Sequence, residues 1–303
     1  MCWTGWRIKV LFMEKDRIKA LITLLDDPNQ EIFDSVESEL MKAEVEIVPE
    51  LEKAWEEHPE GVFQHRIENI IHSLQFRDVK KRFRAWVAFN GEDLLTGAWL
   101  VAKYQYPELT FEEVDEAISN LRKDVWLELN EHLTALEKAR ILNHILFDVH
   151  GFSRNNSNFL SPQNSFICDV LDTRKGNPIS LSIIYSVIAN RLGLPVYGVN
   201  LPKNFILAYM DHPDSLLTQN SGDESSVLFY INPINKGAVL GRKEIEHFIK
   251  QQKLEPRDSY FEPCSNLDII RRVLNNLVLG YEHTGQLVKI EEIRELISIM
   301  DEH

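Results

Sequence analysis

The chain has 303 residues, 44% of them hydrophobic and 26% charged, enough for a buried core and for more than one structural unit. Lysine and arginine total 33 against 47 aspartates and glutamates, a net of -14, which disfavours nonspecific attraction to nucleic-acid phosphates or anionic lipid. Cys2, Cys168 and Cys264 are too few and too scattered for a disulfide framework and lack metal-ligand spacing, so a reducing, cytoplasmic setting with no structural metal or cofactor is expected.

The first residues lack the continuous apolar run and small-residue cleavage site of an export signal, and residues 1–12 read as an extension ahead of a helix that opens at Met13. No stretch of about 18 uncharged apolar residues follows, because Asn190 and Arg191 interrupt the best one, so no membrane span is expected. From Ile18 to Phe76 apolar residues recur at helical spacing: Leu21, Leu24 and Leu25, then Ile32, Val36 and Leu40, then Val48, Leu51 and Trp55. Asp26-Asp27-Pro28-Asn29 and Glu57-His58-Pro59-Glu60-Gly61 break that pattern where helices should turn. The order is similar to a HEAT-type repeat, in which paired helices stack their apolar faces, with a plain antiparallel bundle as the equal alternative. Residues 13–90 are therefore assigned to a helical cap.

Residues 93–150 predict three more helices, one around Trp99, one opened by the capping box Thr110 to Glu113, and one from about Ala135 to Val149 that Gly151 stops. Asn164 to Leu171 predicts a helix, and Asn177-Pro178 opens a longer one that runs to Gly193, with Asn177 as N-cap and Pro178 at the first helical position. Three strands are predicted over Val196 to Leu201, Phe205 to Met210 and Val227 to Ile231, the last two joined by the polar stretch from Asp211 to Ser226. Asp211, His212 and Asp214 in that stretch read as turn chemistry rather than a metal site. Ser265 to Met300 predicts two helices joined at Thr284-Gly285. The class implied is α+β, mainly helical: one buried helix against a small antiparallel sheet over 91–255, and a helical hairpin over 256–303.

The segment Gly176 to Val196, with its helix start at Asn177-Pro178 and its Gly193-Leu194-Pro195 exit, resembles the transglutaminase and papain-like core, where a helix N-terminus carries a cysteine and adjacent strands bring His and Asp. The chain more closely resembles the SirB-type transglutaminase-like regulator family of bacteria. The resemblance rests on Asn164-Ser165, Val170-Leu171, Arg174, Gly176, Pro178-Ile179, Leu181-Ser182, Tyr185, Arg191 to Leu194, Gly198 to Pro202 and Phe205, and continues through Arg271 to Tyr281. It implies that Pro178 stands at the cysteine position, Asn204 at the histidine and Asn232 at the aspartate. Proline offers no nucleophile and an amide accepts no proton near neutral pH, whereas two amides can hydrogen-bond to each other or to a bound polar group. The resemblance thus implies a degenerate cleft, with Asn164, Arg174, Asn177, Ser182, Tyr185, Asn200, Asn204 and Asn232 as its candidate residues.

Three functional readings follow. The first is a noncatalytic protein that binds a protein or peptide partner, without nucleic acid or membrane, through the degenerate cleft. A second is a hydrolase or amide-processing enzyme with a relocated nucleophile at Ser180, Ser182 or Cys168. The third is an adaptor acting through its helical regions.

Overall fold

The computed structural model describes residues 16–57, 61–211 and 227–302. Residues 1–12, and His212 and Asp214 of the polar stretch, lie outside the described residues. The chain divides into two compact units, residues 1–82 and 83–303. The division falls inside one long helix.

The first unit is wholly helical among its described residues. Helix α1 is described over 16–24, and α2 (Gln30–Leu40), α3 (Val48–Glu57) and α4 (Val62–Ala88) follow. Asn29 starts α2 by accepting the Glu31 backbone N–H at 3.0 Å, the usual repair for an orphan donor at a helix start. Leu25, Phe33, Val36, Leu40, Leu51, Ile67 and Leu74 form a common buried core. Two arginines on α4 satisfy carbonyls that helix ends leave open: Arg66 donates to Leu25 and Asp27 at 2.8 and 2.9 Å, and Arg77 donates to Met41 and Ala43. The turns between these helices are thereby tied to α4.

In the second unit α5 (Leu94–Gln105), α6 (Phe111–Glu128) and α7 (Ala135–Asn143) come first, and a π-type turn over His144–Val149 prolongs α7. Thr110 and Thr134 open α6 and α7 with reciprocal capping boxes to Glu113 and Glu137. Between Asn164 and Leu171, where one helix is expected, the backbone makes a 3-10 turn at Pro162–Ser165, extends at Phe166 and only then forms α8 (Ile167–Thr173). The difference follows from Ser165, which lies buried and accepts a side-chain hydrogen bond instead of joining a helix face.

Helix α9 (Pro178–Arg191) is the centre of this unit; every residue from Ile179 to Ala189 is buried. It packs on β3 (Val196–Val199) and β4 (Ile206–Met210), and on α5, α6 and α8. With β5 (Val227–Asn232) and β6 (Ala238–Leu240) these strands make an antiparallel sheet in the order β3-β4-β5-β6. The fourth strand, absent from the sequence expectation, follows the left-handed residues Lys236 and Gly237, which turn the chain back onto β5. A two-residue parallel bridge joins β1 (Ser153–Arg154) to β2 (Lys175–Gly176). Helix α10 (Arg242–Gln251) covers the sheet with Ile245 and Ile249.

Helices α11 (Asn266–Thr284) and α12 (Leu287–Asp301) close the chain as an antiparallel pair around the left-handed Gly285. Leu274 and Leu277 on α11 and Ile293 and Leu296 on α12 are fully buried, each side chain stabilising the fold by roughly 1.5–3 kcal/mol. Tyr104 of α5 donates a 2.6 Å hydrogen bond to Glu292 of α12. This anchors the pair to the body of the unit. The architecture is α+β and mainly helical, a small antiparallel sheet set against one buried helix.

Candidate functional site

The start of α9 is built so that its own first turn is satisfied. Asn177 Oδ1 accepts the backbone N–H groups of Ile179 and Ser180 at 3.0 and 2.9 Å, and Pro178 has no N–H to offer. Asn177 Nδ2 donates to Ser165 Oγ at 2.9 Å, and the Asn177 backbone N–H donates to Ser180 Oγ at 3.0 Å. Ser182 Oγ donates back to the Pro178 carbonyl at 2.7 Å. Both serines are 1% exposed, so their hydroxyls serve the helix backbone and face no solvent.

A pocket of about 110 Å³ opens beside this helix start. Pro178 and Asn177 form one wall, Lys203, Asn204 and Phe205 from the turn before β4 form another, and Arg272, Asn276 and Leu279 from α11 form a third. Phe159, Leu160 and Ser161 complete the rim. The three α11 residues stand at i, i+4 and i+7, one stripe of that helix. Arg272 Nη1 donates to Asn200 Oδ1 at 2.8 Å, and partial burial pulls the guanidinium pKa down from its ordinary value. Asn204 Oδ1 accepts the Phe205 backbone N–H at 2.9 Å.

The structure thus brings Pro178 and Asn204 to one pocket. Asn232 does not line it. It ends β5 one step beyond the Leu207–Ile231 pair, where the turn Pro233–Asn235 packs on α9. Its Oδ1 is buried with no hydrogen-bond partner among the described residues, as is Asn143 Oδ1, while Asn143 Nδ2 donates to the Gly237 carbonyl at 2.8 Å. No hydrogen bond between Asn204 and Asn232 exists among the described residues; the nearby Phe205 backbone takes the first amide.

The other candidates hold the surroundings. Asn164, 2% exposed, donates to the carbonyls of Asn158 and Phe159 at 2.7 and 3.1 Å and accepts from Asn155, which fixes the loop that carries the rim. Asn200 steadies Arg272. Tyr185 is fully buried and donates to the Ala139 carbonyl at 3.3 Å, stacked on Phe147. Arg174 ends α8 in the left-handed region and lays its guanidinium over Phe152, away from the pocket lining. Sequence reasoning missed Lys203, Arg272, Asn276 and the apolar rim. The signal for the α11 stripe was present in Arg272, Asn276 and Leu279, whose spacing places them on one face.

Burial pushes the thiols of Cys168 and Cys264 up to about 12, with Asp169 and Asp268 adding like-charge repulsion against the thiolates. Among the described residues no three His, Cys, Asp or Glu side chains gather as a metal site. No described helix is long and apolar enough to cross a membrane.

A buried helix whose N-terminus opens on a pocket, flanked by an antiparallel sheet, is the core that the chain shares with a known family. Residues 112–275 match the family model described as transglutaminase-like superfamily, and the chain belongs to that superfamily. A UPF0162 protein of Xylella fastidiosa strain 9a5c is 28% identical over 199 residues, covering 64% of this chain and 66% of that protein. A UPF0162 protein of Vibrio cholerae is 26% identical over 191 residues, 61% of this chain and 65% of that protein. Mouse F-box only protein 21 is 26% identical over 246 residues, 78% of this chain and 35% of that protein. The chain therefore spans just under two thirds of these bacterial relatives and about a third of the mouse one. No solved structure matches the chain at a significant level.

Proposed function

We propose that this chain is a noncatalytic member of the transglutaminase-like superfamily, of the SirB regulator type, that binds a protein or peptide partner through the pocket beside Pro178 and Asn204. The observation that carries the reading is the closed helix start. Pro178 occupies the first position of α9 with neither a nucleophile nor an N–H, Asn177 takes the N–H groups of Ile179 and Ser180, and a pocket persists next to them. Ser180 and Ser182 are committed to backbone hydrogen bonds, and burial keeps Cys168 protonated, which argues against a relocated nucleophile. The HEAT-like reading of the first unit and a cytoplasmic location belong to the same proposal.

Filling the pocket tests it. Asn204→Trp is expected to abolish capture of the partner by the full chain while the melting temperature stays unchanged, and capture that survives in the folded variant sinks the reading. Turnover of a peptide or glutaminyl substrate that disappears in Ser182→Ala or Cys168→Ala would establish the enzyme instead.

A further inference from the structure

The side chains around the pocket have an unbalanced charge. The whole chain carries 47 acidic against 33 basic residues, yet the pocket lining holds Lys203 and Arg272 and no carboxylate. Arg272 is partly buried, and among the described residues its side-chain hydrogen bond goes to the neutral amide of Asn200. Lys203 likewise donates to a neutral group, Gln252 Oε1, at 3.2 Å. Holding the partly buried Arg272 cation against a neutral acceptor costs free energy that an incoming anion offsets, and the exposed Lys203 adds a second positive charge. Since Asn177 already holds the first N–H groups of α9, recognition of that anion falls to the two side chains rather than to the helix end.

The mouth of the same pocket has the opposite character. Phe159, Leu160 and Leu279 are 47%, 42% and 55% exposed and all three line it. A volume of about 110 Å³ is of the order of the small cavity that accepts benzene, so it takes one terminal residue and not a folded surface. A bare inorganic anion would leave the apolar rim unused.

From this we infer that the pocket binds the C-terminal carboxylate of a peptide whose last residue is apolar, with Arg272 and Lys203 on the carboxylate and the Phe159, Leu160 and Leu279 rim on the side chain. This inference rests on the reading of the pocket as a peptide-binding site and names its ligand.

Acetyl-Ala-Ala-Leu with a free carboxylate and the same peptide as its C-terminal amide are titrated into the full chain, labelled with 15N, and the amide signals of Ile179 and Phe205 are followed. The free acid is expected to bind at least about tenfold more tightly than the amide, the size of a charge-assisted hydrogen bond. Arg272→Gln and Lys203→Gln should each remove that preference without lowering the melting temperature; Lys203 is exposed, so its variant stays informative should Arg272→Gln fail to fold. Equal affinity for acid and amide, both lost in Asn204→Trp, overturns the carboxylate assignment while the pocket remains a binding site. Equal affinity for acetyl-Ala-Glu-Leu amide and the free acid overturns the chain-end assignment. No shift with any peptide also overturns the inference, and the partner-capture test of Asn204→Trp then decides the broader reading separately.

Discussion

At the scale of single residues, Asn177 matters more than Pro178. Its side chain accepts two helix N–H groups and donates to Ser165, at 5% exposure, so its loss leaves three polar groups without partners in a buried place. Asn177→Ala is expected to cost about 1–2 kcal/mol in urea unfolding, at the upper end for an N-cap. The thiols make a pH prediction. Free thiols ionise near about 8.5. Since burial holds Cys264 protonated up to about 12 in the folded state, the unfolded chain binds fewer protons above the free-thiol value, and stability falls as pH climbs from there. Below that value the thiol is protonated in both states and adds no pH dependence. Urea unfolding at pH 7 and pH 10 should therefore show an alkaline loss that shrinks in Cys264→Ala. For the same reason native Cys168 should react with iodoacetamide at pH 8 more than about a hundredfold more slowly than free cysteine, and at the free rate in urea. Pro178 was legible in the sequence because helix-start chemistry is local, whereas Asn204 was found only through the resemblance to the transglutaminase-like core, which sets it at the histidine position. Arg272 was not legible, since it reaches the pocket from 68 positions beyond Asn204, a closeness that only tertiary packing creates.

Among the elements, the long helices and the three main strands could be read from periodicity, whereas β6 and the β1–β2 bridge could not. Two or three residues carry no period, and their pairing depends on partners far along the chain. Helix α11 shows how packing overrides propensity. Alanine for glycine inside a helix ordinarily stabilises by about 1 kcal/mol. At Gly280, however, a Cβ would lie 2.8 Å from the Leu160 carbonyl oxygen and 3.1 Å from Pro162 Cγ. A backbone atom yields little, so Gly280→Ala is expected to lower the melting temperature and to displace the Leu160 side of the rim. A thermal scan that shows stabilisation would contradict this packing.

For the whole molecule, every residue that lines the pocket lies between 159 and 279, inside the unit 83–303. The first unit has its own core. A fragment of residues 83–303 is accordingly expected to bind the free-acid peptide with the affinity of the full chain, measured by the same titration. Capture of a partner by the full chain that is lost in this fragment, with peptide binding intact, would assign part of the recognition to the helical unit. The net charge of -14 argued against nucleic acid from composition alone, but composition averages over the surface and hid the acid-free pocket with its two cations.

Helix α9 has no face turned to water from Ile179 to Ala189. Its amide protons can meet solvent only when the surrounding layers come apart. Their deuterium exchange should then follow the global unfolding free energy as urea is raised, while amides on the exposed Phe159–Leu160 rim exchange through local openings that denaturant barely changes. The wall of the pocket that carries Pro178 would thus be the most slowly exchanging part of the unit, and the wall that meets the ligand's side chain among the fastest.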